Sequence, residues 1–424
     1  MLTYKKTFVL LIATCATAIA GCKKEKTPDT EKSTASVSTA SNASQQSPLL
    51  ALGTAASPAT VATSIPTAPA PQAKAFILMD AASGAILAEN NSNARVEPAS
   101  LTKLMTSYIV FDALKIGKLK LSDIVTISEH AWKTGGAGTD GSTSFLPIGA
   151  QVPVEILLQG MIVQSGNDAA IALAERVAGN ETTFAQLMNV YAQRLHMDSS
   201  HFANASGLPS PDEYTTTHDL ALLAQGLVRD FPEYYHYFSE KEFLYNGKLQ
   251  QNRNGLLQRD PSVDGIKTGH TQAAGYCLIS SAKREGMRLI SVVMSTPSFK
   301  AREEGSMALL NYGFSFYETK KLFTKDQALK STVVRKGVEN TINAVPANDI
   351  VLTIPRGRAA DVHAEVNLPA ILIAPLDHGT AIGSLTLTLD GKTLGSYDVY
   401  PTHDVAQAGI IGRSIDSIRL LFSH

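Results

Sequence analysis

The stretch Val96-Glu97-Pro98-Ala99-Ser100-Leu101-Thr102-Lys103 decides how the rest of this sequence is interpreted. Pro98 suits a helix entry, and apolar residues repeat at helical spacing over residues 101–114, so a helix is predicted to begin beside Ser100. Because three residues make nearly one helical turn, Lys103 is expected on the same face as Ser100. An amine in that place can accept the hydroxyl proton if its pKa is lowered. The pattern therefore favours Ser100 as a nucleophile and Lys103 as its base.

The same S-x-x-K spacing recurs at Ser280 and Lys283, so the spacing is not specific by itself. This second pair lies in a strand-like run, where a separation of three residues reverses the face of the strand. The side chains of Ser280 and Lys283 are therefore expected to point apart.

Two K-T-G triplets are also present. Lys133-Thr134-Gly135 runs into the flexible loop Gly136-Ala137-Gly138, whereas Lys267-Thr268-Gly269 opens a predicted pair of strands. An edge strand bearing Lys267 and Thr268 can hold a substrate carboxylate by charge and hydroxyl, and Gly269 leaves room for a ligand's backbone. Lys267 is also the predicted second cation that, together with burial, lowers the pKa of Lys103.

A third motif, Ser165-Gly166-Asn167, lies in a predicted loop between helices at residues 156–163 and 169–177. Taken alone, these residues are typical of an ordinary cap for a helix starting near Asp168. Their position between the serine–lysine pair and the second K-T-G triplet favours a functional site instead.

The remaining sequence predicts two folded domains. Strands are expected at residues 75–80, 85–88, 275–281 and 289–294, with helical periodicity over most of the region between them. This pattern predicts an α/β (α+β) domain with one sheet and a helical subdomain over residues 74–322. Short alternating runs then predict a small all-β sandwich over residues 323–405, with a hairpin turn at Asp390-Gly391.

Both ends of the chain have the pattern of membrane-targeting segments. Residues 1–21 resemble a signal peptide, and Ile19-Ala20-Gly21-Cys22 resembles a bacterial lipobox, with Cys22 as the lipidated residue and plain secretory cleavage near Ala20 as the alternative. Residues 22–73 are rich in Ser, Thr, Ala and Pro, which predicts a disordered linker. The last segment, residues 406–424, predicts an amphipathic helix that lies in a membrane interface or packs on the β domain.

The composition excludes several classes of protein and site. A formal net charge of −1 argues against broad electrostatic binding of nucleic acid. The ten histidines include no H-x-x-x-H pair, and no C-x-x-C pair is present, so no metal and no cofactor are expected. Removal of Cys15 and lipidation of Cys22 would leave Cys277 alone, which excludes an intrachain disulfide.

The three motifs in this order resemble the low-molecular-mass penicillin-binding proteins of the serine D-alanyl-D-alanine carboxypeptidase family. The resemblance runs from about residue 75 to the C-terminus, and the β domain and terminal helix resemble the membrane-anchored branch of that family. Further matching stretches are Glu97-Pro98-Ala99, Gln251-Asn252-Arg253-Asn254-Gly255-Leu256-Leu257, Val263-Asp264-Gly265-Ile266 and His270-Thr271. The resemblance implies a penicillin-binding or serine β-lactamase-like transpeptidase domain.

The resemblance also implies a role for each matching residue. Ser100 would form the acyl-enzyme, Lys103 would accept the proton, and Ser165 would help to pass it to the departing D-alanine. The remaining residues would bind substrate: Asn167, Lys267, Thr268, Gly269, Arg302 and Arg253, with the backbone N–H of His270 joining that of Ser100 in an oxyanion hole. Arg302 and Arg253 could equally be solvated surface arginines.

The implied partners are a peptidoglycan stem peptide ending in D-Ala-D-Ala, β-lactam antibiotics as inhibitors, and the membrane, reached through the lipid and the terminal helix. The implied location is the periplasmic side of the cell membrane. Because lipoproteins can be sorted to the outer membrane, the lipobox leaves that membrane as an alternative location. A D,D-endopeptidase or weak β-lactamase using the same site, and a non-catalytic wall-binding protein, are the rival interpretations. A class A β-lactamase has S-D-N and a deacylating glutamate, whereas this chain has Ser165-Gly166-Asn167 and no E-x-x-L-N stretch.

Overall fold

The computed structural model describes residues 65–421. The predicted signal peptide, the predicted lipidation site Cys22 and most of the predicted linker lie outside the described residues, as do residues 422–424. Within residues 65–421, none of the helices combines the length and the apolar character that a membrane crossing requires.

A five-stranded antiparallel sheet in the order β2-β1-β9-β8-β7 forms the centre of the larger domain. Every residue of β1 is buried, because the sheet is covered on both faces. Ile77 and Met79 pack into one apolar cluster, and Phe76 and Leu78, which point the other way, pack into another. The strands are β1 (Ala75–Asp80), β2 (Ile86–Asn90), β7 (Val263–Thr271), β8 (Gly275–Arg284) and β9 (Met287–Thr296). Two further pairs lie outside this sheet: β3 (Ile124–Thr126) pairs with β4 (Gln151–Pro153) across an intervening segment, and β5 (Glu242–Tyr245) forms a hairpin with β6 (Lys248–Gln251).

Helices cover both faces of this sheet. The larger apolar cluster joins one face to the helical subdomain, in which α1 is buried along most of its length. The long helix α8 covers the opposite face through Leu309 and Leu310. The helices are α1 (Lys103–Lys115), α2 (Glu129–Gly135), α3 (Val154–Ile162), α4 (Asn167–Ala178), α5 (Glu181–Arg194), α6 (Thr217–Asp230), α7 (Leu256–Arg259) and α8 (Phe299–Phe316).

Residues 65–73, which the composition placed in the linker, pack on this domain. Ile65, Ala68 and Ala73 lie against the apolar cluster under α8, and the Tyr312 hydroxyl donates a 3.0 Å hydrogen bond to the Pro66 carbonyl. Small apolar residues between prolines have little helical or strand periodicity, so their burial is not visible in the sequence. The predicted boundary at residue 73 is therefore too late.

The C-terminal region forms the expected β domain. A six-stranded sheet, in the order β14-β16-β17-β12-β11-β15, shares an apolar core with the two-stranded sheet formed by β10 and β13. The turn between β16 and β17 uses Asp390 and Gly391, both with positive φ (50° and 74°), as the hairpin signal requires. The strands are β10 (Tyr317–Phe323), β11 (Lys330–Arg335), β12 (Thr341–Pro346), β13 (Ile350–Pro355), β14 (His363–Asn367), β15 (Ile371–Ile373), β16 (Gly383–Leu389) and β17 (Lys392–Pro401).

The last helix, α9 (Ile410–Leu421), turns its polar side toward the β domain. Asp416 is only 6% exposed, and its carboxylate accepts a 2.7 Å hydrogen bond from the backbone N–H of Lys336. The isoleucines of the opposite side remain in solvent, with Ile411 79% exposed and Ile418 58% exposed. The apolar face of α9 is thus left uncovered by the β domain.

Candidate active site

Ser100 lies in a turn of 3-10 helix, Ala99–Thr102, which leads directly into α1. The sequence predicted a helix start here, and the structure places the α-helical geometry two residues later than expected, from Lys103 onward. Ala99 has a positive φ of 49°, an uncommon conformation for a residue with a side chain. Gly207 packs so closely on this turn that a Cβ atom there would lie 1.8 Å from the Ala99 carbonyl oxygen. The nucleophile is therefore held in a constrained backbone.

Lys103 lies directly beneath Ser100 and is 1% exposed. Its Nζ is 3.1 Å from Ser100 Oγ and 2.7 Å from Asn167 Oδ1, and it also donates a hydrogen bond to the backbone carbonyl of Ser206. Burial lowers the pKa of Lys103 from 10.5 to about 7, because the charged form loses its hydration. A lysine in this state can act as a base near neutral pH.

The charges around Lys103 differ from the predicted arrangement. The cation that contributes to lowering the pKa of Lys103 is Arg253, whereas Lys267 was expected in that role. The effect runs in the other direction, since Lys103 helps to lower the pKa of Lys267. Glu213 opposes the effect of burial by raising the pKa of Lys103.

The Ser165-Gly166-Asn167 motif connects α3 to α4. Ser165 adopts a positive φ of 67°, and its buried hydroxyl has no hydrogen-bond partner among the described residues. The N-cap position of α4 is Gly166, with no side-chain cap, so the interpretation of this motif as an ordinary cap does not hold. Asn167, the first residue of α4, presents its side-chain oxygen to the Lys103 amine.

The Lys267-Thr268-Gly269 triplet lies within β7, the edge strand of the sheet, and does not open the strand as predicted. A Cβ atom at Gly269 would lie 3.1 Å from the Pro98 carbonyl, so the absence of a side chain lets the strand approach the serine turn. Lys267 is buried, and burial first, then the neighbouring cations, keep its pKa well below the ordinary value for lysine. The buried amine donates a hydrogen bond to the Thr268 carbonyl at 3.1 Å.

Two arginines complete a group of cations around the site. Arg302, in the first turn of α8, is buried, and its guanidinium lies 3.5 Å from the Gly269 carbonyl and 3.2 Å from the Arg253 carbonyl. Burial lowers the pKa of Arg302 to about 10, so it remains charged at neutral pH. Arg253 is exposed, and its guanidinium donates a 2.6 Å hydrogen bond to Ser142 Oγ. Arg302 is therefore not a solvated surface arginine.

A cavity of about 970 Å³ joins the predicted residues. Lys103 and Lys267 are buried next to it, and the other eight line it: Ser100, Ser165, Asn167, Arg253, Thr268, Gly269, His270 and Arg302. The structure thus brings together ten residues, from positions 100 to 302, that the three motifs and the family resemblance selected.

One wall of the cavity was not predicted. It includes Thr139, Asp140, Gly141 and Ser142, a loop with no motif of its own. The loop continues into a segment anchored by Asp168, whose buried carboxylate accepts hydrogen bonds from the backbone N–H of Ser144 at 2.8 Å and from Thr143 Oγ1 at 2.8 Å. An aspartate directly after the Ser165-Gly166-Asn167 motif is the one signal that could have indicated this anchor.

No residue of the two duplicate motifs lines this cavity. Ser280 is fully buried and Lys283 is exposed, which confirms that their side chains point apart. Lys133 and Gly135 belong to the end of α2, where the Lys133 amine pairs with Glu129 at 2.6 Å.

One group of metal-ligand residue types does lie together in the described part of the chain. Asp377, His378 and Asp404, all exposed in the β domain, offer ligand atoms within 4.8 Å of one another. Because Asp404 is distant in sequence from the other two, no short motif contains all three residues. Exposed groups of this kind commonly hold no ion.

Comparison with known proteins shows what the whole chain is similar to. The family model described as D-alanyl-D-alanine carboxypeptidase matches residues 62–298, and that of the penicillin-binding protein 5 C-terminal domain matches residues 317–407. D-alanyl-D-alanine carboxypeptidase DacA of Escherichia coli (strain K12) is 43% identical over 367 residues, which cover 86% of this chain and 91% of that protein.

Solved structures with a similar fold are of proteins with the same family description. That of penicillin binding protein 5 from Haemophilus influenzae has a TM-score of 0.78 and 42% sequence identity, and the match covers 80% of this chain and 99% of that one. That of the D-alanyl-D-alanine carboxypeptidase DacD from Francisella tularensis has a TM-score of 0.68 and 34% identity, over 81% and 96% of the two chains.

The predicted fold class is confirmed by these matches, both for the transpeptidase-type domain and for the β domain that follows it. The identities exceed what a shared fold alone produces, and the matches span most of each chain. The chain belongs to the D-alanyl-D-alanine carboxypeptidase family, the serine peptidases that include the penicillin-binding proteins of this type.

Proposed function

We propose that this enzyme removes the terminal D-alanine from peptidoglycan stem pentapeptides through an acyl-enzyme on Ser100. The observation that carries the proposal is the buried Lys103 amine, 3.1 Å from Ser100 Oγ and with its pKa lowered to about 7. An amine in this state is partly unprotonated at neutral pH and can take the hydroxyl proton as the oxygen attacks.

In the acylation step, Ser100 Oγ attacks the carbonyl carbon of the penultimate D-alanine and transfers its proton to Lys103. The developing oxyanion is held by the backbone N–H groups of Ser100 and His270, a type of interaction that contributes about 3 kcal/mol to lowering a barrier. The C–N bond then breaks, and the departing amine receives its proton through Ser165. The products are free D-alanine and an ester on Ser100.

The cations around the cavity suit a substrate that ends in a carboxylate. Thr268 and the Arg302 guanidinium line the cavity beside Gly269, and Lys267 is buried behind them. A buried lysine with a lowered pKa is stabilised in its charged form when an anion arrives, so carboxylate binding is expected to protonate Lys267. Asn167 and Arg253 would hold the backbone of the stem peptide.

Deacylation completes the cycle. Water attacks the ester carbonyl, the C–O bond to Ser100 breaks, and the shortened peptide leaves as a carboxylate while the serine regains its proton. A β-lactam would enter through the same attack, with its ring amide bond broken, and form an ester that hydrolyses slowly. The enzyme is therefore expected to hydrolyse β-lactams slowly and to be inhibited by them.

The experiment that tests this function uses purified enzyme and a stem pentapeptide, with chromatographic detection of D-alanine. One D-alanine is expected per peptide, and Ser100→Ala is expected to release none. A crosslinked peptide dimer, assayed in parallel, would distinguish the carboxypeptidase from a D,D-endopeptidase. Release of D-alanine by the Ser100→Ala variant would contradict the proposal and favour a site elsewhere.

We also propose that the enzyme works on the periplasmic side of a bacterial membrane, attached through α9 and through lipidated Cys22. Support for α9 comes from its uncovered isoleucines, since exposed apolar area on an amphipathic helix is what an interface binds. Flotation with anionic vesicles tests this. Binding is expected to fall when Ile411 and Ile418 are both replaced by Ser, which adds no charge, and to be retained in a Ser417→Ala control.

A further inference from the structure

Glu213 is a buried carboxyl group near the nucleophile that no motif of the family resemblance includes. It is 6% exposed and precedes α6, in a segment between the Ser165-Gly166-Asn167 motif and the Lys267 strand. A buried carboxyl group that is not paired with a cation is costly, so its hydrogen bonds need an explanation.

Two donors hold the carboxylate from different elements. Thr102 Oγ1 donates to Glu213 Oε1 at 2.5 Å, and Asn204 Nδ2 donates to Glu213 Oε2 at 2.7 Å. Thr102 is the residue immediately before Lys103, in the turn that carries Ser100. Glu213 therefore fixes the backbone just before Lys103 through its hydrogen bond with Thr102.

Asn204 connects Glu213 to the other side of the lysine. Its Oδ1 accepts hydrogen bonds from the backbone N–H groups of Ser206, Gly207 and Leu208, at 3.0, 2.7 and 3.2 Å. These bonds fix the loop whose Ser206 carbonyl accepts a hydrogen bond from Lys103 Nζ. One carboxylate thus links the turn before the lysine to the loop that holds its amine.

The charge of Glu213 also acts on the amine. Glu213 is the largest of the influences that raise the pKa of Lys103 against the effect of burial. The other charged groups facing this region are Asp168 and Glu181, which raise the pKa of Lys103, and Arg253, which lowers it, while Lys267 is itself affected by Lys103. Burial raises the pKa of Glu213 to about 7, so its charge is sensitive to its two hydrogen bonds.

We propose that Glu213 is a positioning residue for the acylation base: it ties the Ser100 turn to the loop behind Lys103, and its negative charge opposes the effect of burial on the amine. The inference rests on the proposed role of Lys103 as the base.

Three substitutions separate the two parts of this role. Glu213→Gln keeps the size and both contacts, because the amide oxygen can accept from Asn204 while the amide nitrogen donates to Thr102 Oγ1, and it removes the charge. Glu213→Ala removes both contacts and the charge. Thr102→Val removes one of the two hydrogen-bond donors to the Glu213 carboxylate and leaves Glu213 itself in place.

The measurement is the rate of covalent labelling by a fluorescent penicillin in single-turnover reactions between pH 5 and 9, with thermal melting as the control for folding. Since the unprotonated amine is the reactive form, removing a charge that favours protonation moves the midpoint of the acid limb to lower pH, whereas below about pH 6, where Glu213 is itself mostly protonated, the two rates converge. For Glu213→Gln we expect a shift of about one pH unit with a plateau within about threefold of the unchanged enzyme. For Thr102→Val we expect a smaller shift in the same direction.

Glu213→Ala is expected to show the same shift and a plateau at least about tenfold lower, because the loop behind the amine is released. An unmoved acid limb in both Glu213→Gln and Thr102→Val would overturn the inference. A plateau in Glu213→Ala equal to that of Glu213→Gln would overturn the positioning part. Failure of the underlying function is a different result, namely normal labelling of a Lys103→Ala variant.

Discussion

Lys103 Nζ lies 3.1 Å from Ser100 Oγ, in a site where the lysine is almost completely removed from solvent. The amine also has acceptors at Asn167 and Ser206, so its position is determined by three groups from different elements. Burial lowers the pKa of this lysine, and the carboxylates of Glu213, Asp168 and Glu181 limit the shift, which leaves the value near 7. The pair thus has both the distance and the protonation state that proton transfer from the serine requires.

The acylation rate should depend on pH through the Lys103 amine. Lys103 loses its free-amine form as the pH falls through its pKa of about 7, so the acylation rate should fall on the acid side. We expect half of the maximum rate near pH 7 and a decrease approaching tenfold per pH unit below about pH 6. Single-turnover penicillin labelling across this range measures it. A rate independent of pH from 5 to 8 would contradict the assignment of Lys103.

Lys103→Arg should retain a cation but lose the base. Arginine stays protonated in proteins, so it cannot accept the proton from Ser100. The acylation rate is expected to fall by about 10² to 10⁴. Lys283→Arg, which changes the exposed lysine of the duplicate motif, is the matched control and should acylate normally. Equal rates for the two variants would mean that another group accepts the proton.

Lys267→Gln should weaken the use of substrates that end in a carboxylate. A hydrogen bond to a charged group contributes about 1.5–3 kcal/mol, which corresponds to a loss of about tenfold to a hundredfold in kcat/KM. Kinetics with a pentapeptide and its C-terminal amide measure the effect, since the amide should lose less. Lys133→Gln changes the lysine of the other K-T-G triplet, which is exposed on α2, and should leave kcat/KM unchanged.

Asp168→Asn should loosen the unpredicted wall of the cavity. Either orientation of the amide puts its nitrogen against a backbone N–H donor, namely Ser144 and Ala169 in one orientation and Leu146 in the other. We expect the free energy of unfolding to fall by about 2–4 kcal/mol and KM to rise. Denaturation and steady-state kinetics test both effects, with the exposed Asp212→Asn as control. A variant with unchanged stability would show that the anchor contributes little.

The sequence and its family resemblance were sufficient for the fold class and for ten of the residues at the cavity, but not for the wall formed by residues 139–142. Ser100 and Lys103 were found because a helix brings residues three apart together, and that relation is local. The prediction that Asn167 and Lys267 lie beside Ser100 and Lys103 came from the resemblance. No local rule brings together residues that are 64 or more positions apart in the sequence. The second S-x-x-K pair, Ser280 and Lys283, was rejected because residues three apart on a strand point to opposite faces. The structure agrees with this, since Ser280 is buried and Lys283 is exposed.

What the sequence did not predict depends on tertiary contacts. The 3-10 turn that contains Ser100 packs closely against Gly207, a contact that no spacing rule detects. The cation acting on Lys103 is Arg253, because the electrostatic effect depends on distances and charge states that a motif does not give. Glu213 and Asp168 act through hydrogen bonds to loops without motifs, and their partners become visible only after folding.

The most direct test of the central claim is mass spectrometry of the enzyme after treatment with penicillin and digestion with trypsin. Cleavage after Arg95 and Lys103 isolates the nucleophile in a peptide of residues 96–103. We predict one penicilloyl adduct, on Ser100 in this peptide, with none on the peptide that contains Ser280. An adduct confined to any other residue, in a sample that releases D-alanine from pentapeptide, would contradict the account.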